Sequence, residues 1–143
     1  MGLDMRLEKR TYVGNLYKEK KDQVKINIED VKQERVQEVV EEVAYWRKAN
    51  AIHRWFVENV QEGEDDCESH WVDSAKLCKL LNIAEEVLSD HSKAKELLPV
   101  QEGFFFGGYE YDEYYFQDLG ETVDMLKPLL TEECNGYFYQ SSW

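Results

Sequence analysis

Leu3, Met5 and Leu7 alternate with Asp4, Arg6 and Glu8, a period of two that predicts a half-buried first strand. Val24, Ile26 and Ile28 alternate with Lys25 and Asn27 and predict a second, with Gly14-Asn15 and the Lys/Glu-rich stretch Lys18–Asp22 as an exposed hairpin tip between them. Val36, Val39, Val40, Val43, Tyr45 and Trp46 then recur at spacings of three and four, and Ile52, Trp55, Phe56 and Val60 continue the stripe. That pattern predicts a helix from about Gln33 to Val60, either continuous or broken near Asn50, where Lys48-Ala49-Asn50-Ala51 is the weakest part. The polar loop Gln61–Asp66 ends it, and Cys67–Val72, with Trp71-Val72, favours a short strand.

Asp73 or Ser74 is suited to cap a helix that turns Leu77, Leu80, Leu81, Ala84, Val87 and Leu88 inward. Ser92–Leu98 adds a helical turn stopped by Pro99, and Asp112 or Glu113 starts a last helix with Phe116, Leu119, Val123, Leu126 and Leu130 inward. Pro128 predicts a kink or an early end there, because proline removes a backbone donor and clashes with the preceding turn. Asn135-Gly136 reads as a turn and Tyr137–Trp143 as a C-terminal strand. With no internal repeat and no flexible linker, the expectation is a single α+β domain over residues 1–143: a small antiparallel sheet with about three helices packed on one side.

Composition narrows the function classes. The chain has 143 residues with 43% apolar and 13% aromatic side chains, enough to bury a core. No apolar run approaches the roughly 20 residues of a membrane span, and Met1–Met5 lacks the features of a signal peptide. The expected location is therefore the cytoplasm, without membrane contact. Seventeen bases against 30 acids leave a net charge of −13, which argues against direct nucleic-acid binding through phosphates. The imbalance is lopsided: residues 1–36 hold nine bases and seven acids, the rest eight bases and 23 acids. Cys67, Cys78 and Cys134 cannot all pair, so reduced thiols are expected, with Cys78 as a small buried one.

Two groups of residues are candidates for function. Between Phe104 and Phe116, eight of thirteen residues are aromatic, and Tyr109, Glu110, Tyr111, Asp112, Glu113, Tyr114 and Asp118 interleave phenol rings with carboxylates. One reading is a core strand feeding a helix, a second is a recognition surface, and a third is a stacking platform for a nucleobase, against which the acids work if the ligand is phosphorylated. Tyrosine gives large contact area at little entropic cost, and carboxylates accept bidentate bonds from arginine. Acidic groups such as Glu38/Glu41/Glu42, Glu62/Glu64/Asp65/Asp66 and Glu85/Glu86 recur elsewhere and, if they converged, would imitate a nucleic-acid backbone. The second group is a possible ligand pocket formed by Trp46, Asn50, His53, Arg54, Asp65 and Asp66, with a His/Asp/Cys-based enzyme as its catalytic variant. Cys67-x-x-His70 has ligand-like spacing but no matching second pair, so no metal and no cofactor are expected. His91 reads as exposed, and no phosphate loop or nucleophile elbow occurs.

Several stretches resemble a family of small bacteriophage and prophage proteins usually left without an assigned function. They are Met1–Met5, Lys9–Val13, Tyr45–Val57, Asp65–Cys67, Leu97–Pro99 with Gly103–Gly107, and Tyr111–Phe116; Arg6 departs, standing where the family pattern has an aromatic residue. The resemblance transfers no catalytic residue. It implies a phage accessory protein made inside a bacterial host. Together with the acidic, aromatic composition, it leads to a non-enzymatic inhibitor of a host defence nuclease or other nucleic-acid enzyme, of anti-CRISPR or anti-restriction type. The partner would be a basic host protein. Binding or sequestering a nucleotide signal is the alternative.

Overall fold

The computed structural model describes residues 2–103, 106–132 and 136–143. Four strands, β1 (Asp4–Tyr12), β2 (Glu38–Arg47), β3 (His70–Val72) and β4 (Gly136–Ser142), form one sheet in the order β2-β1-β4-β3. Every neighbouring pair is antiparallel. The helices are α1 (Asn50–Asn59), α2 (Ser74–Ser89), the single turn α3 (Ala94–Leu97) and α4 (Glu113–Leu126). The fold is α+β, with the sheet carrying helices on one face.

The period-two alternation of β1 decides which face. Leu3, Met5 and Leu7 are fully buried and lie beside Ala44 and Trp46 of β2 and Tyr137 and Tyr139 of β4. Ile52 and Phe56 of α1, Leu77, Leu80, Ala84 and Val87 of α2, and Leu119 and Leu126 of α4 close this core. Phe56 stacks on Tyr139 at 3.9 Å between centroids, and the Trp46 indole donates to Thr122 Oγ1 of α4 at 2.8 Å. Asp73 and Asp112 cap α2 and α4, accepting from the Lys76 and Tyr115 amides at 2.8 and 3.1 Å. On the other sheet face Arg6 meets Glu42 at 3.0 Å, and the Arg10 guanidinium lies over the Phe138 ring at 3.8 Å.

Three expectations are corrected. The stripe from Gln33 to Val60 is not one helix: its first half is β2 and only Asn50–Asn59 is helical. The cause is a bulge. Leu7 pairs with Ala44 but Glu8 with Glu42, so Val43 is an extra residue that resets the strand's alternation and mimics helical spacing. Val24–Ile28 is not a strand either. Residues 13–37 run as an irregular excursion with short 3-10 turns, and Val24 and Ile28 are exposed. The Val24 and Ile26 amides are satisfied by side chains instead of a sheet partner. Fully buried Asn15 donates to Val24 and Gln33 carbonyls and accepts from the Val24 amide, each at 2.9 Å, and Gln33 Oε1 accepts from the Ile26 amide at 3.1 Å. Third, Leu130 is exposed and Leu129 buried, because α4 ends at Leu126 and tightens into a 3-10 turn around Pro128, changing the phase. Phe104, Phe105, Cys134 and Asn135, which carry part of the aromatic run, one thiol and half of the Asn-Gly turn, lie outside the described residues.

Cys67 and Cys78 are free thiols, and among the described residues no helix is long and apolar enough to cross a membrane. Asn15→Ala removes three hydrogen bonds from a buried position and should cost about 2 kcal/mol. Hydrogen exchange should rise across residues 13–37 while β1 and β4 keep their protection; unchanged exchange in the excursion would refute the side-chain clamp.

Candidate functional site

The chain crosses from β2 into α1 through a tight turn. Lys48 sits at φ 57°, a left-handed conformation unusual for a residue with a Cβ, and its amide donates to the Leu3 carbonyl at 2.7 Å. Ala49 then precedes α1 with no side chain to cap it, so the first-turn amides of the helix precede the first backbone bond, His53 N–H to Ala49 O at 3.0 Å. Over this turn passes the segment between α3 and α4. Gly107, at φ 89°, packs against Lys48, where an added Cβ would meet the Lys48 Cβ at 3.1 Å and its carbonyl at 3.2 Å.

Asn50 pins the crossing. Its Nδ2 donates to the carbonyls of Phe106 (3.0 Å) and Gly108 (2.8 Å), and its Oδ1 accepts from the Gln101 amide (3.0 Å). On the far side α4 begins at its Asp112 cap, and residues three and seven positions on share a helix face. Asp112, Tyr115, Asp118 and Leu119 accordingly line one cavity of about 320 Å³, together with Lys48, Asn50, the first turn of α1, Val100, Glu110 and Tyr114.

The cavity gathers charges of both signs without pairing them. Among the described residues neither Lys48 nor Glu110, Asp112 or Asp118 has an ion-pair partner within 4.0 Å; Arg47, also at the cavity, turns its guanidinium to Asp4 at 3.6 Å. Burial pushes the Asp118 carboxyl up to about 6, and the nearby Glu121 and Asp112 carboxylates add to the rise. A carboxyl held at such a disadvantage in a concave site marks a functional candidate.

The interleaved surface predicted from Tyr109 to Asp118 divides. Glu110, Asp112, Tyr114 and Asp118 line the cavity, and Tyr114 is the most exposed of the rings at 69%. Tyr109 (45% exposed) and Glu113 lie outside the lining; Tyr109 donates to the Gly103 carbonyl at 3.1 Å. Tyr111 is half-buried, edge-on to buried Tyr115, whose hydroxyl donates to the Leu98 carbonyl at 2.7 Å. The described part of this segment before α4 is loop, not a core strand.

The second predicted group divides too. Asn50 belongs to the cavity above, whereas Trp46 is buried against α4 and Arg54 is spent on Glu58 (2.8 Å) and the Val100 carbonyl (3.0 Å). His53 and Asp65 do meet, at 2.9 Å from Nε2, while Nδ1 faces the Tyr139 hydroxyl at 2.6 Å and the Trp143 indole donates to the same Asp65 oxygen at 3.1 Å. His53 is fully buried, and both its nitrogens are engaged. Burial lowers its pKa, with Asp65 opposing, and holds the Tyr139 phenol well above its ordinary value. The arrangement is therefore a neutral imidazole that donates to Asp65 and accepts from Tyr139, a latch joining α1, the loop after it and β4. Asp66 turns instead to His70 at 2.7 Å, a hydrogen bond that lowers its pKa, and Cys67 is exposed. Among the described residues no cluster of His, Cys, Asp or Glu is arranged to hold a metal. His91 is exposed, stacked on Phe116 at 3.7 Å.

Lys48, Tyr139 and Trp143 were missed from sequence. Lys48 lay in the interruption of the stripe, a signal of a turn but not of a cavity; the other two are 86 and 78 residues from their partners and carry no local signal.

The opposed shifts predict opposed pH effects. Asp118 has a folded pKa near 6 against 3.8 when free, so its contribution is full below about pH 4 and lost as pH rises through 6. Asp118→Asn should therefore raise the melting temperature at pH 7.5, with the gain vanishing at pH 4. His53, with its pKa depressed, contributes stability above 6.5 that is lost as pH falls below it. Relative to His53→Gln, the native chain should lose its advantage on going from pH 7.5 to 5; parallel pH profiles would refute the latch. No protein-family model matches the chain, and neither does any curated protein or any solved structure.

Proposed function

We propose that the protein is a non-enzymatic interaction module that docks on a basic protein through the face formed by the start of α4 and the loop before it. The observation that carries this reading is Asp118: a half-buried carboxyl without a counter-ion, pushed up to about 6, at a cavity that also holds Glu110, Asp112 and the exposed Tyr114 ring. A guanidinium or ammonium entering there supplies the missing partner, and the phenol ring offers it a face. Keeping an unpaired carboxylate at this position lowers stability at neutral pH, the pattern expected where function outweighs stability.

The wider charge distribution supports the same partner chemistry. The excess of 23 acids over eight bases beyond residue 36 attracts a cationic surface and repels nucleic acid. Three stretches on which the phage-family resemblance rests, around Tyr45–Val57, Gly103–Gly107 and Tyr111–Phe116, contribute to the cavity lining. A host defence nuclease or another nucleic-acid enzyme, whose groove is basic by necessity, is the target class that fits, with the phage protein acting as its inhibitor in the bacterial cytoplasm.

The test is binding to a panel of purified CRISPR and restriction nucleases by interferometry, with nuclease inhibition read in parallel. A complex is expected whose Kd rises at least about tenfold between 50 and 300 mM salt, as charge-steered association requires. The triple reversal Glu110→Lys, Glu113→Lys, Asp118→Lys, which spares the Asp112 cap, should abolish both readouts while circular dichroism stays native. Inhibition retained by the folded triple variant overturns the reading.

A further inference from the structure

The same cavity has a second property that docking of a bare cation leaves unused. Its carboxylates face a lining that includes Lys48 and the first turn of α1, whose amides carry the partial positive charge of a helix start. Exposed Lys48 has no ion pair among the described residues, and neither has half-buried Asp118, although both line one space of about 320 Å³. Charges of opposite sign that share a cavity and yet do not meet leave room for something between them. A cation answers Asp118 and leaves Lys48 without a partner; an anion does the reverse.

We propose that this cavity is a binding site for a small zwitterion that carries an ammonium and a carboxylate, a free α-amino acid or a short peptide with both ends unblocked. The carboxylate lies toward Lys48 and the Ala51 and Ile52 amides, and the ammonium toward Asp118, with Glu110 and Asp112 adding to the negative side. Val100, Ile52 and Leu119 provide the apolar contact, and the Tyr114 ring stands at the solvent side. The volume of about 320 Å³ falls at the lower end of the range for small-molecule sites, which suits one or two residues. The site shares Glu110, Asp112 and Asp118 with the docking face and adds Lys48 and the α1 start, which docking does not use.

Calorimetry and thermal shift on the intact chain decide it, with glycine, alanine, arginine, glutamate, diglycine and triglycine as probes. Controls are N-acetylated and C-amidated alanine, and methylammonium with acetate added as separate ions. At least one zwitterion should bind in the millimolar range or tighter and raise the melting temperature, and each blocked derivative should bind at least about tenfold more weakly, as loss of one charged hydrogen-bonded end implies. Asp118→Asn, and Lys48→Asn, which keeps a residue tolerant of the left-handed backbone, should each weaken binding by a similar factor with unchanged circular dichroism. Comparing single amino acids with diglycine and triglycine separates a free amino acid from a peptide as occupant. Silence of every zwitterion at about 20 mM, far weaker than a specific site gives, overturns the proposal, as does equal binding of the blocked derivatives. Binding of methylammonium alone overturns it too, while leaving docking of a basic protein untouched.

Discussion

A single buried amide, the side chain of Asn50, sets the geometry on which the cavity depends. It stands at the first position of α1 and spends both donors and its acceptor on the backbone at Gln101, Phe106 and Gly108. Without it, two carbonyls and an N–H would lose their partner, the Phe106 carbonyl at a buried position where an unmade bond costs most. The loop between α3 and α4 is thereby fixed over the Lys48 turn. Glu110 and the Asp112 cap of α4 follow from that placement, so one short polar residue joins three elements that are far apart in sequence.

The remainder of the fold supplies rigidity around this point. Phe56 stacked on Tyr139 and the Trp46–Thr122 bond lock α1, β2, β4 and α4 to a common frame. The His53 latch adds a polar cross-tie that a hydrophobic core alone would not orient. Several ionic groups find partners: Lys9 with Glu132 at 2.7 Å, Arg6 with Glu42, Arg54 with Glu58. Among the described residues Lys48 and Asp118 do not, although both signs are present. On the proposal above, a zwitterionic occupant supplies a partner to each of them.

Elements whose hydrophobic period and cap agree were legible from sequence. β1 alternates cleanly, and α2 and α4 start at Asp73 and Asp112 as their capping chemistry requires. Failure came where tertiary structure overrode the local pattern. The Val43 bulge turned a strand's alternation into a helix-like spacing, and the Asn15 and Gln33 side chains took the place of a strand partner for residues 24–26. For the site, the acids and rings near α4 could be read because they are contiguous. Their opposite wall could not, since nothing in Lys48-Ala49-Asn50 announces which distant loop will cross it. The pairing of His53 with Asp65 was within reach at twelve residues; the addition of Tyr139 was not.

The position of β2 at the sheet margin has a consequence of its own. Ten residues of backbone border no further strand among those described, a row of open amide and carbonyl groups able to template assembly with another chain. Glu38, Glu41 and Glu42 stand along that row, and the extra residue at Val43 twists it out of flat register. Two copies brought rim to rim would set like charges against one another. Part of the molecule's acidity therefore serves as protection against fibril-like growth, whatever the carboxylates near α4 bind.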